Sequence, residues 1–376
     1  MMKTITKWAF RVHGFLGLST GLFFLILGLT GAVLLFRHDL DRALNPDIYH
    51  RSANGTVISA DSAYRIIATA FPDLEKIVLH DFPLSSHEPY EFMLYRTIND
   101  PADNHLGFAF VDAHTGAILR NGNYETLSRS FFRWTYALHY SFLLGRLGQA
   151  FVAALGILLL LTILSGLIVY RKHLLSVLLF KVPLHKNGRR LYSSWHRVVG
   201  VWSALLNLVL LVTGVWMNLP AFQELFSAET AAPHVHGSFA SKTDLDKLLE
   251  YCKTRSPGFH PIAINIPKNN DSPILVRGQL SSTSFPLFGG KASHFSFDAS
   301  TGACLSILDI DRADSSKKIS WAVYQLHIGA FGGYALRIFY ALIGLTPALL
   351  ALTGFVLWTR RSKLQKTKLQ NRGLEI

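Results

Sequence analysis

The chain has 376 residues, of which half are hydrophobic and only 16% charged, and its mean hydropathy is positive at +0.27. That composition excludes an ordinary soluble globule and a disordered chain, and suits a membrane protein with sizeable water-exposed parts. The net charge of +13 raises nucleic acid as a partner until its placement is examined. Two cysteines, Cys252 and Cys304, exclude a disulfide-rich scaffold and a four-cysteine metal site, and leave open one disulfide or two free thiols.

A hydrocarbon core about 30 Å thick, crossed at about 1.5 Å per residue, needs about 20 apolar residues in a row. Four stretches qualify: Phe15–Phe36, Phe151–Tyr170, Val198–Leu219 and Ile338–Trp358. The first is too long for a signal-peptide core and has no small-residue cleavage site before His38-Asp39, so it reads as a retained helix. The predicted order is therefore helix 1 (1–37), a first outside module (38–132), helix 2 (133–172), a basic loop (173–194) and helix 3 (195–220). A second outside module (221–318), helix 4 (319–360) and a basic tail (361–376) complete it.

Lysine and arginine gather at the N-terminus (Lys3, Lys7, Arg11), in the second connection (Arg171 to Arg197) and in the tail (Arg360 to Arg372). The positive-inside rule places all three in the cytoplasm, with both long connections on the other side. The excess charge is thus a topology signal, and no nucleic-acid partner is expected.

The halves repeat. An offset of 183 carries His13 to His196, Gly17 to Gly200 and Gly31 to Gly214; an offset of 188 carries His139 to His327, Gly145 to Gly333 and Gly166 to Gly354. Asp112-x-x-Thr115-Gly116 corresponds to Asp298-x-x-Thr301-Gly302. In the first module, Ser59 caps a helix through Ala70 and strands follow at 76–80, 90–96 and 107–112. The second reads likewise, with a helix over 242–252 and strands near 262–266, 274–278 and 294–298. The fold class is a membrane all-α four-helix bundle with two α+β extracytoplasmic modules, built by internal duplication.

Histidine is costly in a bilayer and marks function there. His13 and His196 begin spans one and three on the cytoplasmic side, while His139 and His327 precede spans two and four on the outside. Symmetry-related imidazoles facing each other across a bundle are the axial ligands expected of b-type haem, here two haems. Gly17 and Gly200, four residues past their histidines, make room on the same helical face, and Arg11, Arg197, Arg146 and Arg337 are candidate partners of propionates. On a straight helix His139 lies about 18 Å before Phe151, which predicts an outer station at or above the membrane surface. His38 tops the first helix without a counterpart in the second half. His105, His114, His234, His236, His260 and His294 lie on the outside parts, His234-Val-His236 being the most ligand-like. His173 and His185 are expected to meet lipid headgroups from the basic loop.

These features together resemble the PepSY-associated transmembrane family. The resemblance rests on Arg11-Val-His13-Gly-Phe-Leu-Gly17, Leu29-Thr-Gly31, the paired Leu138-His139 and Leu326-His327, and the two Asp-x-x-Thr-Gly turns, which look like the ends of PepSY modules. It implies an inner-membrane, haem-containing reductase that acts on a ferric siderophore in the periplasm, with His13, His196, His139 and His327 as ligands. No dinucleotide or flavin fingerprint appears, so a protein or a quinol is expected to supply the electrons. Two other functions are compatible with the sequence: a non-enzymatic PepSY accessory protein, and a transport subunit for an iron chelate.

Overall fold

A computed structural model describes residues 2–49, 56–83, 85, 87–96, 107–122, 131–181, 188–224, 243–268 and 272–370. In chain order, helix α1 (Met2–Leu34) leads into α2 (Arg37–Leu44), α3 (Pro46–Tyr49) and α4 (Ala60–Ala70), then strands β1 (Leu74–Asp81), β2 (Tyr90–Arg96), β3 (Gly107–Val111) and β4 (Ile118–Gly122). Helices α5 (Phe131–Ser141), α6 (Gly145–Tyr170), α7 (Leu174–Leu178), α8 (Gly188–Glu224) and α9 (Leu245–Arg255) follow. Strands β5 (Phe259–Pro267), β6 (Ile274–Leu280), β7 (Ser293–Phe297) and β8 (Cys304–Leu308) precede α10 (Ser315–Ile328), α11 (Gly333–Gly344) and α12 (Thr346–Gln370).

The chain divides into a helical unit (Met1–Leu35, Ala150–Pro220, Gly333–Ile376) and a sheet-containing unit (Phe36–Gln149, Ala221–Gly332). Four helical segments are long and apolar enough to cross a membrane: Thr4–Leu34, Gly145–Leu178, Arg190–Pro220 and Gly333–Arg361. In the helical unit small residues let backbones approach: a Cβ on Gly28 would lie 2.5 Å from the Gly344 carbonyl oxygen, and one on Gly156 would collide with Val215 Cγ2. Leu22, Leu161, Leu205 and Leu342 remain exposed on the unit's surface, as lipid-facing residues would.

The sheet-containing unit holds one antiparallel sheet of order β4-β3-β2-β1-β5-β6-β7-β8. The two predicted modules are thus joined edge to edge through β1 and β5, where Ile77 pairs with Ile266 and Leu79 with Ile264. Strands β4 and β8 escaped the sequence reading because Ile118–Gly122 and Cys304–Leu308 are short and lack a fully buried face. The core under α4 and α9 is built from Tyr64, Ile67, Leu79, Phe92, Leu245 and Phe295. These helices cap each other: Asp246 accepts from the Ala60 and Asp61 amides, and Asp61 accepts from the Leu245 amide. Asp112 and Asp298 each accept two amides of their turn, which then closes on a left-handed glycine, Gly116 or Gly302.

The straight helix expected from His139 into the second span does not form. Helix α5 ends at Ser141, Phe142 and Leu143 take φ of 50° and 63°, and α6 begins at Gly145. A Cβ on Gly148 would overlap the Ser141 carbonyl oxygen, so only glycine permits the chain to fold back there. The fourth span is broken at the equivalent place, between Ile328 and Gly333, with Gly329 and Gly333 left-handed. The 18 Å extrapolation falls with the straight helix.

Candidate functional site

Each predicted histidine pair is brought together within one unit. In the helical unit the rings of His13 and His196 have centroids 6.0 Å apart and planes at 83°. His13 Nδ1 lies 2.9 Å from the Thr162 carbonyl oxygen, which can only accept, so Nδ1 carries the proton. His196 Nδ1 lies 2.8 Å from Thr353 Oγ1, whose own proton goes to the Leu349 carbonyl 2.8 Å away. Nδ1 of His196 therefore donates as well. Both imidazoles are held as the tautomer whose Nε2 bears a free lone pair, the arrangement of a metal ligand oriented by its other nitrogen.

Glycines seat these rings. A Cβ on Gly166 would lie 3.0 Å from His13 Cε1, and one on Gly354 would lie 3.6 Å from His196 Cε1. Open space surrounds Gly14 and Gly17, whereas Leu350 fills the space beside Gly200. Of the predicted arginines, Arg197 donates to the Tyr170 hydroxyl at 2.7 Å and to the Ser193 carbonyl at 2.9 Å, and Arg11 is exposed. Arg337 lies over the Tyr334 ring.

In the sheet-containing unit His139 on α5 and His327 on α10 have ring centroids 6.3 Å apart and planes at 46°. Helix α5 is fastened to β2 by Arg133, which pairs with Glu91 at 3.0 Å, both largely buried. Helix α10 is fastened through the Trp321 indole, which donates to the Gly289 carbonyl at 3.1 Å. Burial works to raise the Glu91 carboxyl, but His80, Arg37 and Arg133 outweigh it and hold the group below the usual carboxylate range. Tyr136 and Tyr324 stand one helical turn before the two histidines.

Two imidazoles holding one metal between them, at about 2 Å per bond plus roughly 1.1 Å from nitrogen to ring centre on each side, would place their centroids roughly 6 Å apart. Both pairs meet that spacing. The donor set, paired imidazoles with no third protein ligand at the inner pair among the described residues, fits a cofactor that brings its own equatorial ligands.

A family model of the PepSY-associated TM region matches residues 10–361. The chain belongs to the PepSY-associated TM family. No match to a curated protein accompanies it. The match takes in both histidine pairs and the whole sheet of this PepSY-associated membrane protein.

Of the other histidines, His38 stands at the start of α2, His260 contacts Ser281 at 3.1 Å, and His294 is partly buried on β7. His105, His185, His234 and His236 lie outside the described residues. Cys252 is buried and Cys304 half-buried, both as free thiols. Sequence reasoning missed Thr162 and Thr353, because one acts through its carbonyl and the other through its hydroxyl. It also missed the tyrosine pair, although the offset of 188 that links His139 to His327 carries Tyr136 to Tyr324.

Proposed function

We propose that this chain is a duplicated, haem-binding oxidoreductase of the bacterial inner membrane, with both termini in the cytoplasm and the sheet in the periplasm. It moves electrons across the membrane to a ferric chelate of the siderophore type, whose iron is released on reduction. The observation that carries this reading is the pairing of all four histidines, with the inner pair locked in the ligand tautomer by Thr162 and Thr353.

His13 and His196 would hold one b haem and His139 and His327 the other. Haem bound there would supply one-electron redox chemistry. The chain's own residues orient and shield. Thr162 and Thr353 fix the two inner rings against rotation. Gly166 and Gly354 let a neighbouring helix press on each ring. The breaks after α5 and α10 release the outer pair from the spans, so that the sheet sets its geometry through Arg133 and Trp321. The electron donor is a separate protein or a quinol, and lipid surrounds the apolar spans.

The visible spectrum of the detergent-purified protein tests this reading. A Soret band with sharp α and β bands on dithionite reduction is expected, together with two haems per chain by pyridine assay. His13→Ala and His139→Ala should each remove a different haem. A colourless protein, or one whose two haems survive both substitutions, refutes the assignment.

A further inference from the structure

A dense group of charges lies around Arg37 in the sheet-containing unit. Three cations, Arg37, Arg133 and Lys291, face two carboxylates, Asp81 and Glu91. Arg133 pairs with Glu91 at 3.0 Å, and Lys291 pairs with Asp81 at 3.5 Å and donates to the His80 carbonyl at 2.7 Å. Arg37 pairs with neither. Its guanidinium donates to His38 Nε2 at 3.3–3.4 Å, while both carboxylates act on it only from longer range. A guanidinium has five N–H donors in a rigid fork, so among the described residues most of this partly buried group's capacity is unused. Arg37 is also the first residue of α2, whose start no side chain caps, and a helix start favours negative charge.

The same place offers a rival ligand set. Donor atoms of His38, Asp81 and Glu91 lie within 4.8 Å of one another, close enough to share a cation. Charge decides between the two. The three cations and two carboxylates leave a local charge of +1, which a divalent ion would raise to +3 and a monoanion would cancel. A metal taking His38 through Nε2 would also have to displace Arg37.

We propose that Arg37, with His38 beside it and Tyr136 and Tyr324 within electrostatic reach, forms a site for a carboxylate-bearing ligand. Tyr136 and Tyr324, which act electrostatically on Arg37, each stand about one helical turn before a histidine of the outer pair. Neither Arg37 nor His38 has a counterpart in the second half, where Pro220 and Ala221 fall. Each chain therefore has one such site. As the docking point for an anionic chelate about to accept an electron, the site rests on the function proposed above. As an anion site it does not.

Isothermal titration of the full-length protein in detergent with citrate, ferric citrate, inorganic phosphate and zinc tests the proposal, using wild type, Arg37→Gln and Arg37→Lys. Citrate and ferric citrate should bind wild type at least tenfold more tightly than Arg37→Gln, with Arg37→Lys in between, and haem content should be unchanged across the three. Citrate affinity within twofold in wild type and Arg37→Gln overturns the site. Phosphate binding as tightly as citrate overturns the carboxylate assignment. Zinc binding that His38→Ala and Asp81→Asn abolish makes the cluster a metal site instead. Haem loss in Arg37→Gln would give Arg37 to a propionate and also overturn the proposal. A colourless protein with Arg37-dependent citrate binding would sink the reductase reading alone; a coloured one whose citrate binding ignores Arg37 would sink this inference alone.

Discussion

A methyl group added at Gly166 should disturb the inner histidine pair, while the same methyl at Gly354 should not. In Gly166→Ala the new Cβ would lie 3.0 Å from His13 Cε1 and 3.1 Å from Nδ1, closer than side chains ordinarily approach. The ring cannot simply retreat, because its Nδ1 is tied to the Thr162 carbonyl at 2.9 Å. Moving it a few tenths of an ångström stretches that bond or strains the helix, at the cost of about 1–3 kcal/mol seen for an overfilled core site. Replacing glycine by alanine in a helix gains about 1 kcal/mol at either position, so this contribution cancels when the variants are compared. At Gly354 the new Cβ meets His196 Cε1 at an ordinary 3.6 Å, and the gain stands uncorrected. Gly354→Ala should thus be neutral or slightly stabilised, and Gly166→Ala less stable than it by about 1–3 kcal/mol. Thermal unfolding in detergent measures the difference, and on the haem assignment proposed above the optical spectrum of the His13–His196 site should move in Gly166→Ala only. Equal stability within about 0.5 kcal/mol, together with unchanged spectra, would refute the claim that Gly166 seats His13.

Removing one partner of the Arg133–Glu91 pair leaves a largely buried charge uncompensated, which costs about 3–5 kcal/mol. Glu91→Gln should lower the unfolding temperature of the sheet-containing unit and, on the haem assignment proposed above, alter the spectrum of the His139–His327 site through α5. Glu91→Gln combined with Arg133→Met should recover most of the loss, and an additive double variant would contradict the pairing. A pH effect follows from His294, which burial, helped by Arg277 and Lys317, pushes down to about 4. Between about 6.5 and 4 the unfolded chain takes up a proton at this position that the folded chain does not, so stability falls as pH falls through that window. The loss should be about 2 kcal/mol by the lower end after allowance for partial exposure. His294→Gln should flatten that slope in pH-dependent unfolding; an unchanged slope would show that His294 titrates normally.

The sequence was most informative where one physical constraint acts along the chain. The bilayer requires long apolar runs, so all four membrane-length helices were legible, and Ser59 and the two Asp-x-x-Thr-Gly turns carried their own local chemistry. Period-two patterning located the buried strands Tyr90–Arg96 and Ile274–Leu280 but missed β4 and β8, whose residues are only partly covered. The edge-to-edge join of β1 and β5 depends on residues about 190 positions apart and left no local sign. Equal offsets picked out the histidine pairs, because two stretches that match at a fixed spacing are visible in one sequence. The groups that orient the inner pair leave little trace in side-chain identity: His13 uses the Thr162 backbone carbonyl and His196 that of Leu350, the matching position, which any residue supplies, and the Thr353 hydroxyl is added at His196. Arg37, without a counterpart, was invisible to the same method.

The two pairs also differ in what holds them. The inner pair is built between long helices, where the apolar surroundings leave Thr162 and Thr353 to settle each ring's tautomer. The outer pair stands on α5 and α10, which left-handed breaks detach from the helices that follow them. Two of those break residues, Phe142 and Leu143, are not glycine, so the chain accepts about 1–2 kcal/mol of backbone strain at each to make the turn. In return α5 and α10 rest on the sheet, α5 through Arg133 on Glu91 of β2 and α10 through Trp321 on Gly289, beside Gln279 of β6. Strands β2 and β6 flank the central pair β1–β5 on either side. The helices that carry His139 and His327, whose rings are 6.3 Å apart, are thus each anchored on one side of the join between the two modules. Weakening that join, for example with Ile77→Ala, should disturb the outer pair and leave the inner pair untouched.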